Sequence, residues 1–218
     1  MDKKYLKRRN KKNYTSYRMR QRTYAIIDNL RDCLAKGADS ILDIGTADGR
    51  VLSEVAYTFN FRCAVGIDLD KDALILARER ENHGLKISLG NAVELPFKDG
   101  IFDIVLASAV VEHISDTEAL LREFRRVLKK GGVLCITVPN PFYDWINSKV
   151  VETHHVKRYS FSHMKNILQR FNFSVVKAAH FMLSPFGQVP FERYLVLFVR
   201  SVRLDFLLFN QIFIAIKQ

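Results

Sequence analysis

The sequence predicts an α/β protein: a doubly wound, mostly parallel sheet with helices on both faces. Three observations predict it. Short apolar runs alternate with stretches of helical periodicity, the strand–helix–strand rhythm of such sheets. Several runs are apolar at consecutive positions, as strands covered on both sides require. One run, Ile41 to Ile44, leads through a glycine loop into an amphipathic stretch, and open α/β sheets bind ligands at such junctions.

Taken in order, residues 1–22 form a basic arm with ten Lys/Arg against Asp2 alone, a charge of +9. The rest of the chain holds 24 basic and 22 acidic residues, so the net +11 sits mainly on this segment. Clustered Lys/Arg gain free energy by releasing counterions from a polyanion, which makes nucleic acid or an anionic membrane surface its candidate partner. A solvated, partly disordered tail is the alternative. Residues 23–218 are expected to form one domain. Ile26, Ile27, Leu30 and Leu34 stand at helical spacing over Tyr24–Leu34, and Gly37 can end that helix. The expected strands are Ser40–Ile44, Cys63–Ile67, Lys86–Leu89, Phe102–Ala107 and Val133–Val138. Between the last two, Leu120, Leu121, Phe124, Val127 and Leu128 mark one face of a helix over 117–129. Lys129-Lys130-Gly131-Gly132 supplies its basic last turn and exit. A further helix is expected over 162–170.

No stretch reaches the roughly 18 uninterrupted apolar residues of a membrane span. The longest candidate, Tyr194 to Ile216, is broken by Arg200, Arg203 and Asp205. The N-terminus lacks the apolar core of a secretory signal. Cys33, Cys63 and Cys135 are odd in number and widely separated, against a disulfide framework or a zinc site. A reducing, cytoplasmic setting is expected.

The segment from Ile41 to Leu52 carries the most chemistry. Its strand ends in Asp43, passes Gly45 and Gly49, and enters a helix with Val51, Leu52 and Val55. Gly45 permits close backbone approach, and a helix N-terminus offers unpaired N–H groups. A tight turn without a ligand is the plain alternative. A second strand, Ala64 to Asp68, also ends in a carboxylate, placed to accept both hydroxyls of a ribose. Only two glycines, and Asp48 among them, speak against phosphate. A nucleoside without phosphates fits better.

Asp43-Ile-Gly45-Thr46-Ala47-Asp-Gly49 resembles the D-x-G-x-G-x-G loop of the class I S-adenosylmethionine-dependent methyltransferases, with Ala47 in place of the middle glycine. The chain is similar above all to their small-molecule branch, which includes quinone-biosynthesis enzymes. Asp68 matches the ribose-binding acid, and Leu69 the residue packed on adenine. Gly90-Asn91-Ala92-Val-Glu-Leu-Pro-Phe97 resembles a G-D-A-x-x-L-P-F segment, with Asn91 for the Asp that receives the adenine amino group. Phe102 to Ser108, Val111 to Ile114 and Leu121 to Gly132 continue the pattern in order, so the resemblance covers about residues 38–181. It implies a Rossmann-like seven-stranded sheet, order 3-2-1-4-5-7-6, whose last strand (about Phe209 to Lys217) is antiparallel. It implies S-adenosylmethionine as cofactor, released as S-adenosylhomocysteine, held by Asp43, Gly45, Thr46, Ala47, Gly49, Asp68, Leu69, Asn91, Ala92 and Ser108. The methyl donor is already activated, so alignment, about 7–11 kcal/mol in intramolecular reactions, is the protein's main contribution.

On the acceptor side, His113 follows the fourth strand. Related quinone O-methyltransferases carry E-x-x-E-H here and bind a divalent metal; Ala109-Val-Val-Glu112-His113 lacks the first carboxylate, and no metal is expected. Thr153-His154-His155-Val-Lys-Arg158-Tyr159-Ser resembles an acceptor-facing segment, making His155 the preferred base, with Arg158 or Tyr159 as anchor. The alternatives are that Glu112 and His113 only shape the loop, that Tyr159 packs, and that Ser160 or Ser162 caps the next helix. Segments 139–160 and 181–208 are expected to cap a small or lipid-like acceptor. The basic arm leaves an RNA methyltransferase open, although no N/D-P-P-Y/F segment follows strand four; Pro139-Asn140-Pro141-Phe142 follows strand five. A non-catalytic cofactor-binding scaffold also stays open.

Overall fold

The computed structural model describes residues 13–34, 37–79, 85–143, 155–184 and 191–218. The apolar runs become strands β1 (Ser40–Ile44), β2 (Cys63–Asp68), β3 (Leu85–Leu89), β4 (Phe102–Ser108) and β5 (Leu128–Pro139), followed by β6 (Phe173–Phe181) and β7 (Asn210–Lys217). They form one seven-stranded sheet in the order β3-β2-β1-β4-β5-β7-β6. β1 to β5 pair in parallel, while β7 runs antiparallel to both neighbours, with Leu134 opposite Ala215 and Val175 also opposite Ala215 on the other side. The expected topology is the observed one.

Helices cover both faces. Along β4, Ile104 and Leu106 join the core beneath α1 (Asn13–Arg31), α2 (Arg50–Phe59) and α3 (Lys71–Arg78), with Ile26, Leu30, Leu52, Val55 and Leu74. Val105 and Ala107 point the other way, to Leu120, Phe124, Met164 and Leu168 of α4 (Thr117–Val127) and α5 (Phe161–Arg170). This alternation across a pleated strand is why two-sided burial read as consecutive apolar residues. α6 (Glu192–Ser201) lies between β6 and β7 in the chain. Among the described residues, no helix is long and apolar enough to cross a membrane.

Two boundaries differ from expectation. The first helix begins at Asn13 rather than Tyr24 and runs through the expected arm–domain boundary at residue 22. Its first half buries Tyr17 and Met19 among the arginines, and the Thr23 hydroxyl donates to the Met19 carbonyl at 2.9 Å. Residues 1–12 of the arm lie outside the described residues. The second difference is at Leu128, which is extended and pairs with Phe102, so α4 stops at Val127 and the Lys-Lys-Gly-Gly run opens β5. Tertiary pairing overrides the local exit signal there.

Candidate active site

The carboxyl ends of β1, β2 and β4 converge on the glycine loop. Gly45 has φ +68°, and a Cβ there would strike Val110, which follows β4. Gly49 (φ +71°) and Ala47 (φ +51°) are also left-handed, so the loop folds back before entering α2. On β2, the bare Cα of Gly66 leaves room for the Thr46 side chain; a Cβ would approach Thr46 Oγ1 to 2.7 Å. Asp68 organises the turn. Its Oδ2 accepts from the Ala47 amide at 2.8 Å and its Oδ1 from the Asp70 amide at 2.9 Å. Each oxygen keeps a second lone pair. Leu69 beside it is 62% exposed, an apolar shelf open to a ligand. Asp48 is buried and paired with Arg50 at 2.6 Å, so its charge shapes the loop instead of facing a ligand.

Beneath the loop, Asp43 is fully enclosed. Burial pushes its carboxyl up to about 7, and the nearby Asp68 charge adds to the rise. The Thr46 hydroxyl beside it opposes that rise, and beyond each other neither Asp43 Oδ1 nor Thr46 Oγ1, both buried, has a partner in the chain. A buried carboxyl met by one hydroxyl alone is costly, so this pair points to a further donor from outside the chain. The ammonium and hydroxyl donors of S-adenosylmethionine fit that acceptor set, and the left-handed Gly45 fits a close ligand.

Asn91 closes the third side. Its Oδ1 accepts from the Val93 amide at 3.2 Å, which leaves one lone pair and the amide N–H₂ for a base edge; Ala92 behind it is buried. The following turn is clamped to α4. Arg126 donates to the Leu95 carbonyl at 3.0 Å and the Phe97 carbonyl at 2.6 Å, while Glu123 accepts from the Leu95 amide at 2.7 Å. The Arg126 guanidinium holds the Glu123 carboxyl below its ordinary range. Ser108, at the end of β4, lies 3.4 Å from Thr137 across the strands, between the loop and the acceptor side.

The acceptor side is assembled from distant parts of the chain. His113 is exposed on the 3₁₀ turn Val111–His113, and the half-buried His155 meets it edge to face with ring centroids 4.8 Å apart. The Glu112 carbonyl receives the Val156 and Lys157 amides at 2.9 and 3.1 Å, which fixes that approach. One ligand atom each from buried Glu112, His113 and His155 lie within 4.8 Å of one another. Glu112 and His113 thus have His155 as a third donor beside them. A carboxylate and two imidazoles so placed can relay a proton or hold a cation.

Tyr159 lies near enough to this cluster for the Glu112 charge to act on its hydroxyl, but it bonds elsewhere. It is buried, its hydroxyl 2.6 Å from Thr117 Oγ1, and burial raises its pKa. It packs, and Ser160 caps α5 by accepting from the His163 amide at 3.3 Å. Arg158 remains at the surface. His154, with the rest of 144–154 and with 185–190, lies outside the described residues. Sequence reasoning missed Asn140. Its amide donates to the carbonyls of Phe206 and Leu208 at 2.7 and 2.9 Å, tying the loop after β5 to the segment before β7. The Pro-Asn-Pro-Phe run was the visible signal, and its role is structural.

Comparison with known proteins follows this geometry. A family described as "Methyltransferase domain" matches residues 42–136. The demethylmenaquinone methyltransferase of Alkalihalophilus pseudofirmus is 34% identical over 121 residues, 52% of this chain and 51% of that protein. The fatty-acid O-methyltransferase of Mycolicibacterium smegmatis is 35% identical over 105 residues, 48% of this chain and 38% of that protein. The chain thus spans about half or less of the length of these curated relatives. An S-adenosylmethionine-dependent methyltransferase of Thermotoga maritima shares the fold at TM-score 0.67 and 18% identity, covering 92% of this chain and 91% of that one.

Proposed function

We propose that this chain, which belongs to the class I S-adenosylmethionine-dependent methyltransferases, methylates a small or lipid-like acceptor with His155 as general base. The observation that carries the cofactor half is the buried pair Asp43 Oδ1 and Thr46 Oγ1, which has no partner in the chain beyond itself, beneath a glycine loop. When bound, S-adenosylmethionine supplies a methyl group on a cationic sulfur. The chain's own part is placement. Asp43 and Thr46 meet the donors of the amino-acid end, Asp68 accepts from the ribose, and Leu69, Asn91 and Ala92 enclose the base. Gly45, Ala47 and Gly49 give room, and Ser108 borders the acceptor. His155 takes the acceptor proton, with His113 and Glu112 beside it to orient and stabilise the charge.

The acceptor class is supported by relatives named for a quinone precursor and for fatty acids, and by the apolar segment tied down by Asn140. The domain boundary is better placed at Asn13 than at residue 23, because α1 is continuous and packs on α2. Three free thiols, Cys33, Cys63 and Cys135, suit the reducing cytoplasm in which we place the protein.

Extract incubated with isotope-labelled cofactor and read by mass spectrometry identifies the acceptor. Asp68→Ala should weaken cofactor binding by about 1.5–3 kcal/mol in calorimetry. His155→Ala should keep that affinity and slow turnover by about 10²–10⁴. Unchanged affinity in the first variant rejects the cofactor assignment, and unchanged turnover in the second rejects the base. A second reading, with Glu112, His113 and His155 holding a divalent cation against the acceptor, rests on their convergence. It requires chelator to abolish turnover and added metal to restore it.

A further inference from the structure

Methyl transfer leaves one large feature unused, the outer face of the segment between β6 and β7. No described residue of α6 is buried. Phe191 is 78% exposed, Tyr194 70%, Phe198 63% and Leu197 54%, and beyond the helix Phe206 is 56% exposed. Scattered apolar residues on a surface need no explanation, but a contiguous aromatic and aliphatic face does.

Charge identifies what covers it. The segment from Phe191 to Leu208 has two carboxylates, Glu192 and Asp205. Both turn inward. Glu192 accepts from the Tyr17 hydroxyl and, at 3.0 Å, from the Leu183 amide, while Asp205 meets His180 Nδ1 at 3.2 Å. Apart from Ser201, the other described side chains of the segment are apolar or cationic, Arg203 exposed and Arg200 exposed while also donating to the His180 carbonyl at 2.7 Å. The Tyr17–Glu192 contact also fixes α1 against the start of α6, and α1 itself carries Arg18, Arg20 and Arg22.

We propose that this face docks on an anionic lipid bilayer. Aromatic and aliphatic side chains enter the boundary between headgroups and acyl chains, and Lys/Arg remain among the phosphates. The rival occupants fit less well. A two-fold dimer through this patch would bring like-charged arginines face to face. A nucleic acid would satisfy the arm but leave the aliphatic side chains in water. Asn140 links Phe206 and Leu208 to the loop after β5, so docking would set the acceptor side against the membrane. The inference goes beyond methyl transfer and is tested without it.

The full chain is sedimented with vesicles of phosphatidylcholine alone and of phosphatidylcholine with an equal part of phosphatidylglycerol. Binding should require phosphatidylglycerol and weaken steeply with salt. Tyr194→Ser combined with Phe198→Ser should reduce it by about tenfold or more. Unchanged melting temperature and cofactor affinity show that this variant is folded. Four results overturn the proposal. The wild type fails to bind the anionic vesicles, or the double variant binds them equally well. Alternatively, sedimentation velocity finds a dimer that the double variant dissolves, or single-stranded RNA binds while vesicles do not.

Discussion

Asp43 shows what full enclosure does to a single carboxyl. Burial raises it from an ordinary 3.8 to about 7. Below pH 4 the folded and unfolded chains both hold its proton; between 4 and 7 only the folded one does. Stability from this group is therefore greatest at low pH and falls as pH rises through that window, by roughly 3–5 kcal/mol at its end. A cationic ligand donating to Oδ1 favours the ionised form. Cofactor affinity should accordingly rise between pH 6 and about 7.5, with proton release on binding at pH 6.5. Calorimetry in two buffers of different ionisation enthalpy measures that release, and a flat, proton-neutral profile would mean that Asp43 does not meet the ligand. Asp43→Asn should make the ligand-free protein more stable at pH 8 while weakening its binding.

Among the elements, α1 is the one whose character changed most between sequence and structure. Its second half was legible because Ile26, Ile27 and Leu30 repeat at helical spacing; its first half was not, because Tyr17 and Met19 sit among arginines that mask the pattern. Deleting residues 1–12 should leave the melting temperature nearly unchanged. Deleting 1–31 should prevent folding, since Ile26, Ile27 and Leu30 alone contribute about 1.5–3 kcal/mol each in a domain stable by about 5–15. Circular dichroism melts of the two truncations decide this; a folded 32–218 chain would show α1 to be dispensable. The same distinction separates the two halves of the site. The cofactor side is legible because Asp43 to Gly49, Asp68 and Asn91 each sit at the end of a strand readable by itself. The acceptor side is not, because the meeting of His113 with His155 and the span from Asn140 to Phe206 are made by packing, which leaves no local periodicity.

Across the whole molecule, burial of Cys135 in β5, between β4 and β7, pushes its thiol far above the ordinary value, whereas Cys33 and Cys63 are half-buried near the surface. A thiol reacts as thiolate, so Cys135 should be alkylated only when the sheet opens. Peptide mass spectrometry should find Cys63 labelled first. Cys135 should be labelled at the global unfolding rate and slowed further by S-adenosylhomocysteine. Labelling of Cys135 as fast as Cys63 would mean that the sheet opens locally at its centre. The placing of β7 has a consequence for the chain during its synthesis. β6 joins the sheet only through β7, yet it is made first. At about 5–20 residues per second, roughly 2–7 s pass between Phe181 and Lys217 leaving the peptidyl transferase centre. For that interval the nascent chain presents two unpaired edges, β5 and β6, with the apolar α6 segment emerging between them. Chaperone demand on the ribosome should therefore be greatest while β7 is still inside the exit tunnel.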